Sequence, residues 1–76
     1  MSPFRGKKIA VTGKLANYTR SDIRTRLINL GAMPVDTVTR KTDYLIVGAK
    51  AGSKLTKAQT LGIPVLSEWD FEDMAD

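Results

Sequence analysis

The hydrophobic positions of the chain fall into short blocks, and the spacing within each block predicts strands alternating with helices. Ile9-Ala10-Val11, flanked by Lys8 and Thr12, is a continuous apolar run stopped by Gly13, the pattern of a central strand that ends in a tight turn. Thr19 and Asp22 stand three apart, so that a hydroxyl and a carboxylate can satisfy the free amides of a helix start. Ile23, Leu27 and Leu30 then recur at helical spacing up to Gly31, which predicts a helix over residues 20–30. Residues 33–39 alternate weakly around Val35 and Val38, and Pro34 confines them to a sheet edge. Arg40-Lys41-Thr42-Asp43 is a polar connection to Tyr44-Leu45-Ile46-Val47, an unbroken run ending at Gly48 that predicts a strand covered on both faces.

The loop from Ala49 to Gly52 is built of small residues, and Ser53 is placed to cap a helix over residues 54–61 that carries Leu55, Ala58 and Leu61. Pro64-Val65-Leu66 supplies a fourth strand. Residues 68–75 form a terminal helix with Trp69, Phe71 and Met74 as its apolar members and its acids as solvating groups. The order β-α-β-β-α-β-α predicts an α/β domain with a mainly parallel sheet and helices on both faces.

A chain of 76 residues holds one domain at most, too small for a large enzyme cleft. No apolar run approaches the roughly 18 residues of a membrane span, and Met1-Ser2-Pro3-Phe4 lacks the apolar core of a signal peptide, so an intracellular protein with no membrane partner is expected. A start at Met1 suits a domain excised from a larger protein. Cysteine and histidine are both absent, which removes disulfides, thiol nucleophiles, zinc-finger ligands and the commonest general base. Charge is unevenly spread. The twelve Lys and Arg and three of the acids precede residue 58, a net +9, whereas the remainder holds five acids and no base, a net −5. A basic body with an acidic tail suits a polyanionic partner, since contact with phosphates releases counterions; the plainer alternative is that the lysines keep a small domain soluble.

The glycine-bounded loop Gly48-Ala49-Lys50-Ala51-Gly52-Ser53-Lys54 invites comparison with a nucleotide-binding loop, but that motif needs Gly-Lys before Ser or Thr, and here the order is Gly-Ser-Lys. What remains is a loop that opens a helix with amides and a lysine at its start, a seat for a single phosphate. Ligands of parallel sheets collect beyond the carboxyl ends of the strands. Thr12 and Gly13 lie at one such end and Lys54 follows another, so a hydroxyl, a backbone amide and an ammonium can converge there. The alternative is that Thr12 ends a strand, Gly13 turns the chain and Lys54 is a solvated helix residue. Asp36, Asp43, Asp70 and Asp73 form no pair opposite a base. Trp69, Phe71 and Tyr44 could stack on bases, although their spacing fits core positions.

Gly6-Lys7-Lys8-Ile9-Ala10-Val11-Thr12-Gly13-Lys14-Leu15, Thr19-Arg20, Leu30-Gly31-Ala32, the run from Val38 through Asp43 to Gly48, Gly52-Ser53-Lys54-Leu55 and Leu61-Gly62-Ile63-Pro64 together resemble a BRCT domain over roughly residues 4–74. Within that family the chain is similar to the domain at the C-terminus of bacterial NAD-dependent DNA ligases and in the large subunit of the eukaryotic clamp loader. Similar domains also follow exonuclease domains of the polymerase-associated type. Thr-Gly with an Arg at the first helix start, Gly-Ser-Lys-Leu before the second helix and a closing Glu-x-x-Phe, here Glu68 to Phe71, mark this subgroup.

The resemblance implies a four-stranded parallel sheet with two helices on one face and one on the other, and one BRCT domain over residues 4–76. It also implies binding without catalysis or cofactor. Thr12, Gly13 and Lys54 match the residues that hold phosphate in such domains, and Arg20 matches a further grip on a 5′-phosphorylated DNA end. Lys14 and Ser53, their neighbours, join the candidate phosphate and DNA-binding set. The expectation is an accessory module of a bacterial, cytoplasmic DNA ligase or similar repair enzyme, with DNA ends or nicks and other domains of its parent as partners and no small-molecule substrate. Phosphopeptide readers of the family usually pair two domains, and this chain has one. The alternative is a protein adaptor that docks through the acidic terminal helix with Trp69 or Phe71.

Overall fold

Seven elements follow one another in the computed structural model, which describes residues 2–76: β1 (Lys8–Thr12), α1 (Arg20–Asn29), β2 (Met33–Pro34), β3 (Tyr44–Val47), α2 (Ser53–Leu61), β4 (Val65–Ser67) and α3 (Glu68–Ala75). The strands form one parallel sheet in the order β2-β1-β3-β4. Ile9 pairs with Tyr44 and Thr12 with Val47, so β1 and β3 end level and the loops after them emerge side by side.

Alternation along the central strands divides the core into two. Ile9 and Ile46 face α1 and α3, joining Ile23, Leu27, Phe71 and Phe4. Ala10 and Leu45 face the other way, onto Ala58 of α2 with Val38 and Ile63. Two helices therefore cover one face and one helix the other, and the unbroken apolar runs of β1 and β3 follow from burial on both sides. Thr19 and Asp22 form the expected capping box of α1, with the Asp22 amide donating to the Thr19 hydroxyl at 3.0 Å. Gly31 takes the left-handed φ of +81° expected of a helix terminator.

Several expectations are corrected. The edge strand predicted over residues 33–39 contracts to Met33–Pro34. After the Val35 amide donates to the Ile9 carbonyl at 3.0 Å, the chain turns around Thr42, whose hydroxyl accepts from the Thr39 amide at 2.9 Å. Val38 is drawn under α2 instead of into the sheet. Ser53 does not cap α2; it is the helix's first residue, and the N-cap is Gly52, with no side-chain hydrogen bond.

The acids of α3 are not all solvating groups, because Glu68 is buried at 5% exposure. Trp69, expected in the core, is 58% exposed, whereas Phe71 is fully buried, which removes Phe71 from any docking surface. Phe4 is also fully buried, with its ring 5.3 Å from Phe71 and 5.5 Å from Tyr44, so the segment before β1 is part of the core.

Candidate functional site

The level ends of β1 and β3 put two loops in contact, and glycines set how close they come. Gly13 has φ +78°, and a Cβ there would lie 2.7 Å from the Ala49 carbonyl oxygen; a Cβ on Gly48 would lie 2.3 Å from the Lys14 carbonyl oxygen. Side chains at these positions would force the loops apart. With none, Lys14 and Ala49 exchange both backbone hydrogen bonds at 2.8 Å, and the Gly48 amide donates to the Thr12 carbonyl at 2.9 Å. The crossing engages every neighbour of Gly13 but leaves the Gly13 N–H without a backbone partner among the described residues.

The helix starts near this crossing differ in kind. Gly52 offers α2 no capping side chain; the Leu55 amide donates to the Gly52 carbonyl at 3.1 Å, which leaves the amides of Ser53 and Lys54 open to an anion at the positive end of the helix dipole. At α1 the same position is filled by the Thr19–Asp22 box, whose carboxylate already sits in the first turn. What α1 contributes is therefore side-chain charge.

A surface groove of about 420 Å³ is bordered by Arg20, Arg24 and Lys54 over an apolar floor of Ile9, Val11 and Leu27. Beside it, a recess of about 620 Å³ is bordered by Gly13, Lys14 and Arg20. Arg20 belongs to both, so the fold brings it together with Lys54 on one side and with Gly13 and Lys14 on the other. Thr12 and Ser53 line neither recess. Thr12 is half-buried and, by alternation with Ala10, lies on the α2 face of β1; Ser53 is exposed at the first position of α2. Arg24 pairs with Asp36 at 3.9 Å, an exposed contact of small energy. Among the described residues Arg20, Lys14 and Lys54 have no carboxylate partner.

The residues that hold the loop between β1 and α1 were not among the sequence candidates. The amides of Ala16 and Asn17 donate to the two carboxylate oxygens of Glu68 at 2.6 and 2.7 Å, and the Tyr18 hydroxyl donates to Glu72. α3 thus ties down the segment that has Lys14 at one end and Arg20 at the other. Burial pushes the Tyr18 phenol above its ordinary 10.0, the Glu72 contact adds to the effect, and the Arg26 guanidinium opposes it. The only sequence signal for Glu68 is the Glu-x-x-Phe spacing that it shares with buried Phe71.

The set can donate hydrogen bonds and offer positive charge. Two acids among the described residues border these recesses: Asp22, held in the α1 cap, and Asp36, exposed on the groove of Arg20 and Lys54 and 3.9 Å from Arg24; Glu68 is taken up by the loop amides. Among the described residues no group of three or more His, Cys, Asp or Glu could hold a metal ion, and no helix is long and apolar enough to cross a membrane.

A family model described as the BRCA1 C Terminus (BRCT) domain matches residues 1–74. A protein of Pediococcus pentosaceus named DNA ligase is 58% identical over 65 residues, which cover 86% of this chain and 10% of that protein. The DNA ligase of Rhodopirellula baltica is 55% identical over 69 residues, covering 91% of this chain and 10% of the relative. That of Clostridium botulinum is 52% identical over 73 residues, covering 96% and 11%. The chain spans about a tenth of the length of these relatives. Among solved structures, the S. pombe Rad4 BRCT3,4 crystal structure superposes with a TM-score of 0.74 over 93% of this chain and 41% of that one; at 22% identity this is a likeness of fold.

Proposed function

The chain belongs to the BRCT domain family, and from that premise we propose that it is a non-catalytic module of a longer bacterial DNA ligase or similar repair enzyme, seating the 5′-phosphate of a DNA end or nick. The observation that carries this reading is the place of Arg20, which borders both the groove of Lys54, at the uncapped start of α2, and the adjoining recess of Gly13, whose amide has no backbone partner among the described residues. Backbone N–H groups and cations without carboxylate partners are what a phosphate dianion accepts. Thr12, at the end of β1 on its α2 face, flanks the seat together with Lys14 and Ser53.

The basic body, net +9 before residue 58, draws the rest of the duplex in through its backbone phosphates. Relatives named DNA ligase in bacteria support both the parent enzyme and a cytoplasmic setting. The other domains of that enzyme then position the nick, while this domain holds its end.

Fluorescence anisotropy with a recessed duplex, 5′-phosphorylated or not, tests the reading. The phosphorylated end should bind at least about tenfold more tightly, the equivalent of one charge-assisted hydrogen bond. Equal affinities would remove the phosphate seat.

A further inference from the structure

Resting on the DNA-end reading above, we propose that Trp69 and Lys14 form a second subsite that holds an unpaired nucleobase beside the phosphate seat. Trp69 is the chain's single tryptophan, and at 58% exposure it stands on the first turn of α3 at the carboxyl edge of the sheet. It borders a cleft of about 430 Å³ whose other walls include Lys14, Gly48, Ala49 and Ser67. Lys14 lines both this cleft and the recess of Gly13 and Arg20, so a strand leaving the phosphate seat reaches Trp69 by passing Lys14.

Charge selects the occupant. Among the described residues Lys14 and Glu68 are the only charged ones lining the cleft, and both oxygens of Glu68 are taken by the Ala16 and Asn17 amides. What remains is one cation without a carboxylate partner beside one exposed indole. That combination fits a nucleotide, with its phosphate at Lys14 and its base on the ring, because aromatic stacking accepts any base through its π face.

The acids near Trp69 leave Lys14 as the place for the backbone. Asp70 and Asp73 lie exposed on α3, and the Asp70 carboxylate accepts from the amide of Ser67, which borders the cleft, at 3.1 Å; both acids repel a phosphate, so the backbone stays at Lys14. A base paired within a duplex has its faces stacked on its neighbours. The occupant is therefore an unpaired residue of an overhang or frayed end.

The single tryptophan makes the test direct. Intrinsic fluorescence is followed while the protein is titrated with a 5′-phosphorylated duplex bearing a single-stranded overhang, and with a blunt duplex of the same sequence. The overhang should quench the indole and the blunt end should not. Trp69→Ala should weaken overhang binding about fivefold or more, leave the preference for phosphate intact and leave the melting temperature unchanged; Trp69→Phe should retain most of the affinity.

Phosphate-dependent binding of the overhang with unaltered emission, and no effect of Trp69→Ala, would overturn the subsite alone and turn Trp69 towards a protein partner. Quenching without phosphate preference would support the subsite and overturn the phosphate seat. No binding of either duplex would overturn both.

Discussion

Replacing Glu68 with Gln changes one oxygen to an amide nitrogen at a site where two backbone N–H groups converge on a carboxylate that is 5% exposed. A hydrogen bond to a charged acceptor contributes about 1.5–3 kcal/mol. Glutamine keeps one acceptor, loses its charge and sets its own N–H₂ against a peptide N–H. Ala16 and Asn17 are themselves exposed, so water takes up a released amide and limits the loss. The net cost should be about 2 kcal/mol, close to one full bond to a charged group. For a domain of this size that lowers the melting temperature by roughly 10 °C. Urea unfolding with an unchanged m-value measures the loss, and amide exchange should quicken at Ala16 and Asn17 ahead of the core. A loss under about 0.5 kcal/mol, within the range of an ordinary surface substitution, would refute the assignment of Glu68 as the tie between α3 and the loop.

Three further outcomes follow from the geometry. Gly48→Ala places a Cβ 2.3 Å from the Lys14 carbonyl oxygen, a backbone atom that cannot swing aside, and should cost at least about 3 kcal/mol in denaturant unfolding; a near-neutral effect would mean the loops do not cross so closely. The Tyr18 phenol is raised above 10.0, by burial first, so its contribution to stability is whole below pH 10.0 and is lost as the pH rises through its higher folded value. Tyr18→Phe should remove that alkaline loss, measured as unfolding free energy against pH. The slope of log affinity for DNA against log salt should be about −0.9 per phosphate contact, and Arg20→Ala and Lys54→Ala should each make it less negative by about 1; a flat slope in the unaltered domain would exclude phosphate contact.

The strands and helices were legible because their periods are unambiguous: Tyr44 to Val47 is apolar on both faces, and Thr19 with Asp22 announces α1. Where prediction failed, contacts distant in sequence decided. Residues 33–39 carry β-branched positions, yet Thr42 folds the chain back and Val38 serves the core under α2. Glu68 resembles the other acids of an acidic helix, and only its position 52 and 51 residues beyond Ala16 and Asn17 gives it its role. Phe4 precedes any periodic run and so carried no signal, although it sits between Tyr44 and Phe71. The candidate site was readable as residue types at strand ends. That Arg20 borders the groove of Lys54, while Thr12 and Ser53 line neither recess, depends on level strand ends and an uncapped helix that no local pattern encodes.

The proposed phosphate seat lies between the end of β1 and the start of α2, and a cycle of ligand and side chain probes it. Affinities of the unaltered domain and of Lys54→Ala are determined for the same recessed duplex with and without its 5′-phosphate, at one salt concentration. The phosphate preference, about tenfold or more in the unaltered domain, should fall close to one in the variant, while affinity for the unphosphorylated duplex changes little. A preference that survives Lys54→Ala undiminished would rule out a phosphate seat at the start of α2.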